Sequence, residues 1–365
     1  MKVECVQDKL QKILSQSEKI AGKNLNLPVL GCVLMESRKG TLSVRSTNLD
    51  LGFSGNIPVK VEKEGLLAVP AQVLSSFVSN LQGEKSVVLE SKDGNLHVAT
   101  SKSRTTIKCL PSEDFPTIPS LSDEQNFKIT ASDFVKGLKA VWYSSSLSSI
   151  KAELSSVCVY PEDGYVVFAA TDSFRLAEKK IKAKVSDFDK ILIPFKNAAE
   201  IARILESAEG EIEVRFSKNQ IAFVFGNVYL TSRVIDGTFP DYRQIIPKEF
   251  KTEAVILKED MARSLKVATI FSDTFNQLNV SAVPEDKKFE LTTKNPALGE
   301  NRTALSAALS GEPAEANFNY RYIADCLQSI NSDSISLSFA GQARPVVIRG
   351  VNDKSFTYLV MPMNR

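Results

Sequence analysis

The chain repeats itself, and that constrains its fold more than any other feature. Three places open with an alternating apolar stretch that runs into an amphipathic helical pattern. They are Lys2–Val6 before Asp8-Lys9-Leu10, Phe127–Ile129 before Asp133-Phe134-Val135, and Ala254–Ile256 before Asp260-Met261-Ala262. Each Asp stands where a helix N-terminus favours negative charge. Asp8 to Asp133 to Asp260 gives a period of about 125 residues. A second strand-to-helix start falls midway through each unit, at 67–74, 192–199 and 316–323. In two of these a Pro (Pro70, Pro194) stands at the helix entrance, where its missing N–H costs nothing. Alternating strands follow each helix, among them 86–90, 211–216 and 334–339. Their period of two predicts half-buried antiparallel sheet. The joints match as well: Asp114-Phe115-Pro116 with Pro119 closes the first unit, and Phe239-Pro240-Asp241-Tyr242 with Pro247 closes the second. The expected fold class is therefore α+β, with three similar domains at 1–122, 123–249 and 250–365. Each is built from two half-units of one helix and about three strands.

Length and composition permit this plan. The 365 residues suffice for two or three domains, and 43% hydrophobic with 24% charged residues is ordinary for a globular chain. Lys plus Arg number 45 and Asp plus Glu 43, so the net charge of +2 names no partner. The first residues lack the apolar core of a secretory signal, and no apolar run is long enough to cross a bilayer. Five scattered cysteines, Cys5, Cys32, Cys109, Cys158 and Cys326, form neither a disulfide framework nor a metal-spaced pair. A reducing, cytoplasmic compartment is the expectation, with no metal and no cofactor.

Where the bases sit is more telling than their number. On the first helix Lys9, Lys12, Gln16, Lys19 and Lys23 recur on one stripe, off the Leu10-Ile13-Leu14 face. Lys136 and Lys139, Lys196 and Arg203, and Arg263 and Lys266 repeat the pattern more weakly on later helices. Such rows, without interleaved aromatics, suit phosphate contact without base reading. A solvated helix face is the commoner explanation for any one of them, and it is the repetition across the units that favours nucleic acid.

The chemistry of an enzyme is missing. The single histidine, His97, lies in a strand-like context, and no Ser-His-Asp set or metal cluster can be assembled around it. Ala21-Gly22-Lys23-Asn24 lacks the Gly-rich lead and the Ser/Thr of a phosphate-cradling loop. A binding or scaffold protein with no catalytic residue is the expectation. A scaffold that binds only proteins, and an enzyme that uses carboxylates, are the alternatives. The chain ends on Tyr358-Leu359-Val360-Met361-Pro362-Met363. Two thioethers there fit either an adaptable apolar groove or a plug for core gaps.

Several segments together resemble one family, the bacterial sliding clamps, the beta subunits of DNA polymerase III. They are Asn26-Leu27-Pro28-Val29-Leu30-Gly31, Ala170-Thr171-Asp172-Ser173-Phe174-Arg175-Leu176-Ala177, Ile235-Asp236-Gly237-Thr238-Phe239-Pro240-Asp241-Tyr242-Arg243, Ala343-Arg344-Pro345-Val346-Val347-Ile348 and the Met-Pro-Met end. The resemblance implies a head-to-tail homodimer closed into a ring of six domains. Helices line the hole and duplex DNA passes through it, bound without regard to sequence. DNA-facing residues would then be Lys9, Lys12, Lys19, Lys23, Lys136, Lys139, Lys151, Lys196, Arg203, Arg263 and Lys266. The meeting edges would be Ser103 to Leu110 and about Leu298 to Ser306, with Arg104, Ile107, Ile270, Phe271 and Leu305 at the interface. The resemblance also implies a groove for short linear peptides from the DNA polymerase III catalytic subunit, the clamp loader, other polymerases and repair proteins. Its positions here are Leu154, Thr171, Arg175, Leu176, Pro240, Ile245, Phe275, Asn319, Tyr322, Val346, Val360, Met361, Pro362 and Met363. The family often has Gly-His where Ser173-Phe174 stands here, and an Arg where Gln244 stands. A cytoplasmic, nucleoid-associated protein without membrane contact is implied.

Overall fold

The computed structural model describes residues 1–22, 26–81, 83–121 and 125–363. Each of the six strand-to-helix starts is present. Strand Lys2–Val6 runs into α1 (Gln7–Glu18), Gly65–Pro70 into α2 (Ala71–Ser79), and Gln125–Thr130 into α3 (Ala131–Val141). Ile191–Pro194 leads to α4 (Phe195–Leu205), Thr252–Leu257 to α5 (Lys258–Ala268), and Ala314–Asn319 to α6 (Tyr320–Leu327). Asp8, Asp133 and Asp260 lie in the first turns of α1, α3 and α5, where a negative charge meets the helix's positive end. α6 has a true cap, because the Asn319 side chain accepts the Arg321 N–H at 3.0 Å.

Helices of this length do not persist alone in water. Their apolar stripes hold them to the sheets: Leu10, Ile13 and Leu14 on α1, Phe134 and Leu138 on α3, Met261 and Leu265 on α5 are all buried. α3 lies so close to its sheet that a Cβ at Gly137 would come within 2.3 Å of the Phe168 ring. That approach admits only glycine.

By contacts the chain divides into two compact units, Met1–Ser132 with Glu200–Val234, and Asp133–Ala199 with Ile235–Arg365. The first unit holds a five-stranded and an eight-stranded antiparallel sheet, and the second a nine-stranded and a four-stranded one. The eight-stranded sheet is joined in its middle by Leu51–Pro58 pairing with Val228–Arg233, Phe53 opposite Leu230. The nine-stranded sheet is joined by Arg175–Lys182 pairing with Phe356–Val360, Ala177 opposite Tyr358. The five-stranded sheet ends on the free edge Arg104–Lys108, and the four-stranded sheet on the free edge Gly299–Leu305.

Candidate functional site

The residues expected to form a groove lie in the second unit, around one turn. Asp172 Oδ1 accepts the N–H groups of Phe174 and Arg175, both at 3.0 Å. This closes an Asx turn in which Ser173 has φ +77°. Glycine takes that conformation without strain, whereas serine adopts it only where the turn's hydrogen bonds hold it there. Thr171 Oγ1 donates to the Arg175 carbonyl at 2.7 Å and accepts the Ser173 N–H at 3.2 Å, so it braces the same turn. The turn holds Arg175. Its Nε donates to Asp172 Oδ2 at 2.9 Å and its terminal nitrogen to Asp325 Oδ2 at 2.6 Å. Its guanidinium carbon sits 4.4 Å from the Tyr322 ring centroid. Burial alone would lower the pKa of Arg175, but neighbouring Tyr358, Asp325 and Asp172 more than offset it and keep the group charged.

The chain's end runs beside this turn. Met361 N–H donates to the Phe174 carbonyl at 2.8 Å, and Met363 N–H to the Asn317 carbonyl at 2.7 Å. Met361, Pro362 and Met363 are half-buried. Leu176 is in a buried cluster with Tyr242, Val347 and Leu359, and Met361 packs against it. Leu154, Thr171, Val346 and Val360 are buried too, so they form floor rather than surface. Pro240, Ile245 and Phe275 are exposed, the last at 69%. Asn319 is engaged as the cap of α6. Phe174, which is 62% exposed, stands beside the tail without having been expected there. Asp325 was missed because an acid one helix turn beyond Tyr322 carries no signal of the Arg175 it meets in space.

The expected basic residues are largely where helical periodicity puts them. Lys9 and Lys12 are exposed on α1 and Lys19 is exposed at its C-cap, and Lys136, Lys139, Lys151, Lys196, Arg203, Arg263 and Lys266 are exposed also. Lys23 lies outside the described residues. Lys12, Lys136 and Arg263 occupy one place in the repeat, the same distance into α1, α3 and α5. Among these charges Arg203 pairs with Glu200 at 3.0 Å, and Arg263 with Asp260. Gln16 does not belong to the exposed stripe. It is 4% exposed and donates to Ser207 Oγ at 2.7 Å, while Lys19 Nζ reaches the Arg203 carbonyl at 3.1 Å.

Two interface expectations need correction. Ile107 is 5% exposed and Leu305 is 8% exposed within this chain. Strand alternation turns both into the interior of their own chain, which leaves little apolar surface on either for a partner. Arg104 is exposed, Ile270 is 62% exposed and Phe271 half-buried.

Other chemistry stays quiet. Among the described residues no group of three or more His, Cys, Asp or Glu could hold a metal ion. His97 Nδ1 shares a hydrogen bond with Thr106 Oγ1 at 3.0 Å on neighbouring strands. Burial pushes the thiols of Cys5 and Cys158 up to about 12 and that of Cys32 up to about 11, far from the reactive range. No helix of the described residues is long and apolar enough to cross a membrane.

Three family models match in order along the chain. They describe the N-terminal (residues 1–119), central (residues 128–241) and C-terminal (residues 243–364) domains of the DNA polymerase III beta subunit. The chain belongs to the DNA polymerase III beta subunit family. It is 28% identical to the beta sliding clamp of Synechococcus elongatus over all of this chain and 99% of that one. It is 25% identical to the beta sliding clamp of Escherichia coli over the full length of both. Among solved structures, the beta subunit of Pseudomonas aeruginosa superposes with a TM-score of 0.94 at 23% identity over all of both chains. The sliding clamp of Bacillus subtilis superposes equally well, over 99% of its chain. The fold is thus the three-domain clamp fold, six helices on antiparallel sheets. The family's function is that of a sliding clamp, a processivity factor and accessory subunit without catalytic activity.

Proposed function

We propose that two copies of this chain pair head to tail into a closed ring of six domains around duplex DNA, and that clients dock beside Arg175. The family supplies the coarse statement: a DNA sliding clamp whose partners are DNA, a polymerase and a second copy of the chain, acting on DNA in the bacterial cytoplasm. The finer reading divides the chain at 1–122, 123–249 and 250–365. It assigns the exposed lysines and arginines named above, with Lys23, to the DNA side. It assigns Arg104, Ile270 and Phe271 to the interface. The groove residues take short linear motifs of the DNA polymerase III catalytic subunit, the clamp loader, other polymerases and repair proteins. Nucleoid association follows from encirclement.

The observation that carries the ring is the matching of half-sheets. One row of cross-strand partners runs Phe127, Val214, Phe223, Leu230 and then crosses to Phe53. Another runs Ala254, Leu337, Ile348, Tyr358 and crosses to Ala177. A third runs Val3, Leu89, Val98, Thr105 and stops at a free edge. Phe53 pairs with Ser46, whose hydroxyl donates to the Ser17 carbonyl at the end of α1. Thr293 does the same to Ala268 at the end of α5, and its strand partner is Asn301 on the other free edge. The repeat therefore pairs Thr105 of one protomer with Asn301 of its partner. Glu300 then faces Thr106, with Arg104 and Lys108 on its diagonals, while Arg302 faces Arg104 at a small like-charge cost. Exposed apolar side chains lie at both ends: Leu110 just past one edge strand, and Leu298 just before the other, with Val267 and Ile270 on the helical segments that contact it. Joining the edges would bury both ladders and this surface.

Cysteines at Thr105 and Asn301 should cross-link two chains on oxidation, whereas Thr106→Cys with Asn301→Cys should not, since those side chains point to opposite faces. The cross-linked ring, loaded before oxidation, should stay on circular DNA through high salt and leave the same DNA once it is linearised. Equal retention on both forms would rule out encirclement.

A further inference from the structure

Behind the exposed wall of the groove lies a run of hydrogen-bonded polar groups, buried at Tyr160, Tyr242 and Glu178, that docking has not yet used. Phe239-Pro240-Asp241 leads into a single 3-10 turn, Tyr242–Ile245, which flanks the groove with Pro240 and Ile245. Pro240, Arg243, Gln244 and Ile245 are all exposed, and Tyr242 alone in the turn is buried. The Tyr242 hydroxyl donates to Glu178 Oε2 at 2.5 Å and shares a hydrogen bond of 2.6 Å with the Tyr160 hydroxyl. Arg243 donates to the Tyr160 hydroxyl at 2.9 Å and pairs with Glu162, which also takes Lys180 Nζ at 2.8 Å. Tyr160 and Glu162 belong to strand Ser156–Glu162, and Glu178 and Lys180 to Arg175–Lys182. The network thus ties the turn to the same strand that begins with Arg175 and Leu176.

Stability alone is a poor reason for such a network, because apolar replacements of similar volume are often neutral or better. Hydrogen bonds that converge on a buried hydroxyl instead specify one geometry. The turn's apolar contacts, Phe239 edge-on to Tyr242 at 6.0 Å and the cluster with Leu176 and Leu359, tolerate sliding; two short hydrogen bonds to one hydroxyl do not.

We propose that Tyr242 is the positioning residue of the client groove: its hydroxyl, held between Tyr160 and Glu178, sets the distance of the Pro240–Ile245 wall from Leu176 and Met361. This rests on the groove reading above. A wall fixed in advance spares a client the cost of ordering it, so loosening the wall shows as faster dissociation. Burial, reinforced by Glu178, pushes the Tyr242 phenol up, so it remains a donor throughout the physiological range.

The test uses the full chain and a fluorescein-labelled peptide ending in Leu-Phe. Tyr242→Phe should weaken binding roughly five- to tenfold, mainly through faster release. Ile245→Ala should cost clearly less in the Tyr242→Phe background than in the parent, because the wall it belongs to is already displaced. Glu178→Gln keeps an acceptor and should stay within about twofold of the parent. Unchanged affinity in Tyr242→Phe, or fully additive losses with Ile245→Ala, would overturn the assignment. If Tyr242→Phe does not fold, Tyr160→Phe replaces it, with a loss of about twofold or more expected and none overturning. A parent chain that does not bind the peptide would overturn the groove reading and this one together; a parent that binds, with variants unmoved, overturns this one only.

Discussion

The two sheet junctions inside the chain share a backbone and differ in what they carry. At the first, Asn48 Oδ1 accepts the Asp50 and Leu51 N–H groups, Leu49 has φ +78°, and Arg233 N–H donates to the Asp50 carbonyl at 2.8 Å. At the second, Asp172, Ser173, Phe174 and Met361 reproduce each of these contacts in the same order. The side chains then part company. Leu51 stands where Arg175 stands, and Arg233 where Met361 stands. One junction has a charged residue locked by two carboxylates beside a Met-rich tail, and the other a leucine beside an exposed arginine. The repeat supplies the same backbone framework at both junctions, and a handful of side-chain differences sets apart the one proposed to take clients.

The largest effect should come from making the second junction like the first. Arg175→Leu takes the partner from Asp172 Oδ2 and disconnects Asp325, which should lower stability by roughly 2–4 kcal/mol in chemical denaturation. A drop under about 1 kcal/mol would mean that the Arg175 bridges add little beyond solvent exposure.

Next comes peptide affinity. Met361→Ala should weaken a Leu-Phe peptide about tenfold while leaving the dimer intact, and Arg233→Ala at the matching position should change nothing. Equal losses would mean that both junctions take clients.

The repeat-equivalent cations give a smaller, graded effect. Replacing Lys12, Lys136 and Arg263 by Ala should flatten the dependence of log DNA affinity on log salt by roughly 0.9 for each phosphate that is no longer neutralised. An unchanged slope would move the DNA path away from these helix faces.

The smallest effect is on acid stability and belongs to the second junction alone. Burial would raise the pKa of Glu162, but hydrogen bonds from Lys180 and Arg243 hold it below the ordinary carboxylate value. A lowered folded-state pKa contributes stability that is complete above the unfolded value, about 4.3, and is lost as pH falls through the folded one. The parent should therefore lose stability more steeply than Glu162→Gln below about pH 4; parallel titrations would remove Glu162 from the account.

Much of this was legible in advance, and the failures have physical causes. The six strand-to-helix starts were readable because periodicity is a local property of consecutive residues. The lysine faces were readable for the same reason, apart from Gln16, whose burial depends on Ser207 far along the chain. Ile107 and Leu305 were misjudged because an apolar residue on an edge strand reads the same whether it faces its own interior or a partner. Asp325, and the Tyr160–Tyr242–Glu178 contacts, join residues from 64 to 150 positions apart, and no spacing rule reaches that far.

By itself the sequence determined the threefold plan, the placement of helices and strands, and the sign of charge on the helix faces, since each follows from hydrophobic period and local propensity over a few residues. Only the tertiary structure decided which strands join across the half-sheets, which edges remain unpaired, and which acid meets Arg175. Those choices are set by packing between segments distant in the chain, where the energy lies in three-dimensional complementarity rather than in any local pattern.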